Sequence, residues 1–411
     1  MEKVELELLF EKILVGMRGL QYSESTLRDY KHKAFPPIRK YHEEKGESCY
    51  SEPLVAEYVE LQRGRFHDGI ISERHFRGVR RAARVLDEYS QTGNLIWGRA
   101  KRTVLPSSII FKQTLESFLT HLSEFHAKGT INGIKSSIVS FLRYLEDVGR
   151  NNFHETSLSD IRSYLIEVSG KNPRGMGNII FALRKFWKYL KEIGVTDLEA
   201  SVALQKPAGP HIKVLPCFTK GEVNALILHS QDGSAKGSRN HAILHLAART
   251  GLRLIDIVNL QLEDIDWRKK EISITQRKTG NSLTLPIDID TGNAIAAYIL
   301  NFRPDTESPY VFLKTVAPFT KLSDVGTGAN IIKPYLRESG IPPSPGKGFH
   351  ALRRSMGTWL IESGSDVPTT AQVLGHLNHD SSKRYVSLHY SGLRNCSMGL
   401  SGISVAKEEL I

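Results

Sequence analysis

The chain has 411 residues, 40% apolar and 24% charged, with 55 Lys and Arg against 44 Asp and Glu, a net charge of +11 at pH 7. The length exceeds one ordinary domain, and the composition excludes a disordered chain and any run of the ~18–20 apolar residues that a membrane span needs. Three widely spaced cysteines, Cys49, Cys217 and Cys396, fit neither a disulfide framework nor a CxxC metal site, and the basic balance points to a polyanionic partner.

The first segment, MEKVELELLFEKILVGM, carries acidic residues inside its apolar pattern. It predicts an amphipathic helix of a cytoplasmic protein rather than a signal or transit peptide. Two breaks follow, at Asn94–Ser108 and at Lys206–Pro216, the second marked by Pro207, Gly209, Pro210 and Pro216. The expected organisation is a helical bundle over 1–93, a linker over 94–108, a second bundle over 109–194, a linker over 195–214, a third domain over 215–390 and a tail over 391–411.

The first block repeats the second in pattern. IRKYHEEKG (Ile38–Gly46) matches FLRYLEDVG (Phe141–Gly149), each followed by a Ser-led helix start, SEPLVAEYV and SLSDIRSYL. Each block closes with a basic helix, ending at Gly93 and Gly194. In the first, Arg74, Arg77, Arg81 and Arg84 stand at i, i+3, i+7 and i+10. In the second, Leu183, Phe186, Trp187 and Leu190 form an apolar stripe opposite Arg184, Lys188 and Lys191. One such stripe is commonly a solvated face. Two in the same place favour phosphate contact, with Arg77, Arg81, Arg84, Arg174, Arg184 and Lys188 as candidates.

The third block adds strands to helices. RKKEISITQRKTGNSLTLPID alternates Ile272 and Ile274 before a Lys-Thr-Gly-Asn turn and Leu283, Leu285 and Ile287 after it, a β-hairpin pattern.

Around this hairpin, TGLRLIDIVNLQLEDIDW, RKTG, HALRR, LGH and Tyr385 follow one another in order. The set resembles the signature of the tyrosine recombinase (phage integrase) family, over about Leu215 to Tyr390 and more loosely over the second bundle. The resemblance implies a multidomain protein. Two all-α bundles of the SAM-like core-binding type would precede a mixed α+β, mainly helical catalytic domain with a small β-hairpin or sheet.

The chemistry such a family performs has definite needs. A tyrosine with a pKa of about 10 is only ~0.1% phenolate at pH 7. Attack on a phosphodiester therefore requires a group to take the phenol proton, cations on the phosphorane oxygens and an acid for the leaving alkoxide. By resemblance, Arg253 and Arg353 clamp the non-bridging oxygens and His376 adds a hydrogen bond. Lys278 is the general acid, His350 manages the tyrosine proton and Tyr385 is the nucleophile. Alone, Arg253 could equally pair with Asp256, and Lys278 could be an ordinary turn lysine. Arg354 competes with Arg353 from about 100° round the helix. Tyr390 competes with Tyr385, although the nine-residue step from His376 fits the family at Tyr385. His376 and His379, with only Asp380 nearby, do not make a zinc site.

The resemblance implies a site-specific recombinase that needs no metal and no nucleotide. It would act on double-stranded DNA at specific sites as a homotetramer on two duplexes, with a role for accessory DNA-bending proteins left open. It would be cytoplasmic and nucleoid-associated when acting. A fold retained for DNA binding alone, a nicking–closing topoisomerase and a hairpin-forming telomere resolvase stay open beside it. The first bundle departs from a minimal two-domain member, and the tail could dock on a neighbouring protomer or pack on its own domain.

Overall fold

The computed structural model describes residues 4–95, 104–205 and 215–375. His376 and Tyr385 lie outside them. By its internal contacts the chain divides into two compact units, Gly98–Lys213 and the combination of Met1–Trp97 with Val214–Ile411. No helix among the described residues is long and apolar enough to cross a membrane.

The N-terminal segment holds five helices: α1 (Leu6–Gly19), α2 (Glu24–Asp29), α3 (Phe35–Glu44), α4 (Glu52–His67) and α5 (Glu73–Thr92). A π-helical stretch, Tyr30–Ala34, joins α2 to α3. Their apolar faces close on one core in which Phe10 stacks on Phe35 with ring centroids 4.3 Å apart. Ser72 caps α5 by accepting the His75 N–H, and Gly93 ends it in the left-handed region, which a residue without Cβ enters freely.

Gly98–Lys213 contains α6 (Ile109–Ser123), α7 (Lys128–Asp147), α8 (Leu158–Lys171) and α9 (Met176–Glu192). The expected stripe of α9 is its core face: Leu183, Phe186, Trp187 and Leu190 are all buried. They meet Phe111, Phe118, Phe141 and Phe153 in an aromatic-rich core. The matched segments of the two bundles occupy equivalent places. Gly46 and Gly149, both at positive φ, follow α3 and α7, and Ser51 and Ser157 precede α4 and α8. Ser157 makes a full capping box with Asp160, whereas Ser51 makes no side-chain cap bond.

The third segment comprises α10 (Lys220–His229), α11 (Ala235–Thr250), α12 (Leu254–Val258), β1 (Ile265–Asp266), β2 (Glu271–Thr275), β3 (Ser282–Pro286), α13 (Ile289–Asn301), α14 (Thr327–Glu338), α15 (Phe349–Glu362) and α16 (Val367–Leu374). Helix α11 is buried on nearly every side, the pattern of a central core helix. Truncating its fully buried Leu246 to Ala is expected to cost about 2–5 kcal/mol. The hairpin pairs Ile272 with Leu285 and Ile274 with Leu283, and β1 adds a third antiparallel strand that the alternation did not announce.

Candidate active site

The site begins at the end of α11. Gly251 ends that helix at φ +66, and a Cβ there would stand 2.7 Å from Leu374 Cδ2, so the corner requires glycine. The chain turns within two residues, and Arg253 becomes the N-cap residue of α12 with extended backbone angles. Its side chain is half-buried, and Nη1 donates to the Gln276 side-chain oxygen over 2.8 Å.

One turn further on, Asp256 is 3% exposed. Its Oδ1 accepts the Arg277 N–H at 2.9 Å, tying the hairpin turn to α12, while Oδ2 has no hydrogen-bond partner. Burial pushes this carboxyl above its ordinary range, opposed by the Arg277 N–H and by the charges of Arg253, Arg353 and Arg277.

Lys278 stands exposed at the tip of the turn between β2 and β3. The turn closes below it through the Gly280 N–H on the Gln276 carbonyl and the Gln276 N–H on Asn281 O, both 2.8 Å. Gly280, at φ +73, supplies the left-handed residue this closure uses.

Helix α15 carries His350 and Arg353 three residues apart on one face. Arg353 is 2% exposed; Nη1 donates to Gly251 O at 2.8 Å and Nη2 to Leu374 O at 2.6 Å. Arg354 turns elsewhere and donates from Nη2 to the carbonyls of Pro216 and Gly346. His350 keeps an open edge, yet its pKa is driven down to about 4. The protein packed around the ring is the larger cause, followed by the charges of Arg353, Arg354, Arg253 and Lys278. The open edge weakens the first cause, but both act in the same direction. These cations hold the ring neutral and oppose its protonation, so its basicity recovers only when an anion such as a phosphate offsets them.

Arg253, His350 and Arg353 are therefore brought together, with the charge of Lys278 reaching the same ring. Sequence reasoning missed Gln276, which is fully buried and bonds to both Arg253 and Leu374 O. A signal existed: the alternation that buries Ile272 turns residues 274 and 276 the same way.

The DNA-contact candidates are dispersed. Arg77 pairs with Glu73 at 2.6 Å. Arg81 lies beside Tyr22 and Tyr30, and its charge acts on both phenols. Arg84 is half-buried, its Nε shielded and without a hydrogen-bond partner. Arg184 donates from Nε to Leu204 O at 2.6 Å, and Lys188 lies 3.6 Å from Glu192. Arg174 lies in a 3-10 turn before α9.

The phage integrase family model matches residues 216–391, the segment that holds every element of this site. A protein of Sinorhizobium fredii named as an integrase/recombinase, y4gC, is 33% identical over 181 residues, covering 44% of this chain and 93% of that one. This chain belongs to the tyrosine recombinase family. Tyrosine recombinase XerC of Bacillus pumilus is 28% identical over 283 residues, covering 66% of the recombinase described here and 89% of its own length. In fold, the recombinase is similar to lambda integrase, solved as a tetramer bound to a Holliday junction. The TM-score is 0.53 at 17% identity, over 75% of this chain and 86% of that one.

Proposed function

We propose that this site-specific recombinase cleaves DNA with Tyr385, forming a 3′-phosphotyrosyl bond and releasing a 5′-hydroxyl. The observation that carries this reading is the corner at which Arg353 donates to the Gly251 and Leu374 carbonyls and Arg253 donates to Gln276, which binds the same Leu374 carbonyl, with His350 one turn before Arg353 on α15. His350 would take the phenol proton as the tyrosine oxygen bonds to phosphorus. The P–O5′ bond breaks, and Lys278 protonates the departing oxygen. Arg253 and Arg353, with His376, would hold the charge that grows on the non-bridging oxygens.

Because one phosphoester replaces another, the bond energy is retained for rejoining, and the step needs neither metal nor nucleotide. The 5′-hydroxyl of a second duplex reverses the reaction. Exchange of one strand pair gives a Holliday junction and exchange of the other resolves it, which calls for four protomers on two duplexes. His376 and Tyr385 enter this scheme through the family motif alone. Leu374, two residues before His376 in sequence, accepts from both Arg353 and Gln276 through its carbonyl.

The test is covalent trapping on nicked, labelled duplexes taken from the DNA flanking the gene. An SDS-stable adduct that disappears in Tyr385→Phe but persists in Tyr390→Phe is the expected result. An adduct lost only in Tyr390→Phe would move the nucleophile. Tight binding of a duplex that yields no adduct would overturn the cleavage reading.

A further inference from the structure

Gln276 has no part in the chemistry above, yet its side chain is fully buried between three elements that carry it. The amide oxygen accepts from Arg253 Nη1 and from Thr279 Oγ1, each at 2.8 Å. The amide nitrogen donates to Leu374 O at 3.3 Å, the same carbonyl that holds Arg353. One side chain thus links the corner bearing Arg253, the turn bearing Lys278 and the end of α16.

Its neighbour has been shaped to admit it. A Cβ on Gly375 would lie 2.4 Å from the amide oxygen and 2.5 Å from its nitrogen. Both lone-pair directions of the oxygen are used, as buried polar groups require.

The choice of partner is informative. Asp256, three residues from Arg253, leaves Oδ2 without a hydrogen bond, while Arg253 bonds to a neutral amide. A carboxylate on Arg253 would orient the guanidinium but cancel the charge that a phosphorane needs. An amide oxygen orients it and leaves the charge intact.

We infer that Gln276 is a positioning residue that aims Arg253 at the scissile phosphate without neutralising it. This rests on the cleavage chemistry proposed above, so the wild-type adduct and its loss in Tyr385→Phe are established first. Single-turnover cleavage is then compared on the nicked duplex and on the same duplex with a neutral methylphosphonate at the scissile position. The methylphosphonate, with a methyl group in place of one non-bridging oxygen, develops less charge on the one that remains and depends less on a well-aimed arginine.

Gln276→Met is expected to slow cleavage of the phosphate by about 10–100-fold, with DNA affinity unchanged. On the methylphosphonate its deficit should shrink to within about threefold of wild type, a difference set by charge alone. Gln276→Glu keeps the shape but introduces the carboxylate; it should show the same split, and it decides the matter if the methionine variant fails to fold. Wild-type rates, or equal deficits on both substrates, would overturn the inference while leaving the cleavage reading intact. Absence of a wild-type adduct on a tightly bound duplex would overturn both.

Discussion

Lys347 and Glu222 form a largely buried ion pair, Nζ to Oε1 2.5 Å, that ties the segment before α15 to the first turn of α10. Glu222 also accepts the Thr219 N–H at 2.9 Å, and Lys347 lies 5.3 Å from the Phe218 ring centroid. Burial tends to raise the Glu222 pKa, but the hydrogen bonds from Lys347 and Thr219 outweigh it and hold the carboxyl below its ordinary range. A depressed carboxyl contributes stability above its unfolded pKa of about 4.3 and loses that contribution as pH falls through the folded value. Glu222→Gln should therefore cost about 1–3 kcal/mol at neutral pH. The gap to wild type should close in acid below about pH 4, as read from urea midpoints. An equal gap at both pH values would contradict the pairing.

His350 should remain neutral well below the pH at which a free imidazole titrates. With its folded pKa lowered to about 4, the unfolded chain binds a proton at this position from about pH 6.5 downward while the folded chain does not. Stability is thus present above that pH and is lost as pH falls towards the folded value. His350→Asn should flatten this part of the stability profile. NMR titration of labelled histidine rings would check the pKa directly; a midpoint near 6.5 would refute it.

Gly375→Ala should be more damaging than Gly364→Ala. Both positions have positive φ, +62 and +93, which costs an alanine about 1 kcal/mol or more. Only at Gly375 does a Cβ also collide, with Gln276; at Gly364 nothing lies within 4 Å. The expected outcome is a lower melting temperature for Gly375→Ala and a marked loss of adduct formation. Gly364→Ala should show only the backbone penalty.

On α5, Arg74 and Arg80 are exposed, and Arg80 lies over the Phe76 ring with 5.8 Å to its centroid. If this face meets phosphates, replacing both with Gln should reduce the slope of log affinity against log salt by about 1–2 without changing stability. An unchanged slope would remove α5 from the DNA interface.

Much of this architecture could be read from periodicity. The α9 stripe, the hairpin alternation and the glycine stops at 93 and 194 follow from local side-chain chemistry, and the ordered motifs supply the candidate site residues. Three features could not be read. Residues 81 and 84 look equivalent to 74 and 77 on a helical wheel, but Tyr22 and Tyr30 approach Arg81 from outside α5, and Arg84 is drawn half under cover. The solitary Asp256 oxygen depends on the distant Arg277 N–H claiming the other one. Gln276 lay on a legible face, yet its partners come from positions 253 and 374, which only the folded chain brings close.

The three apolar clusters draw their buried members from separate stretches of chain, Leu6 to Leu86, Phe111 to Leu204 and Phe218 to Leu352. The two breaks in the chain therefore fall between interiors rather than through them. A lineage that traded coding segments at those points would exchange whole interiors, leaving none half-filled.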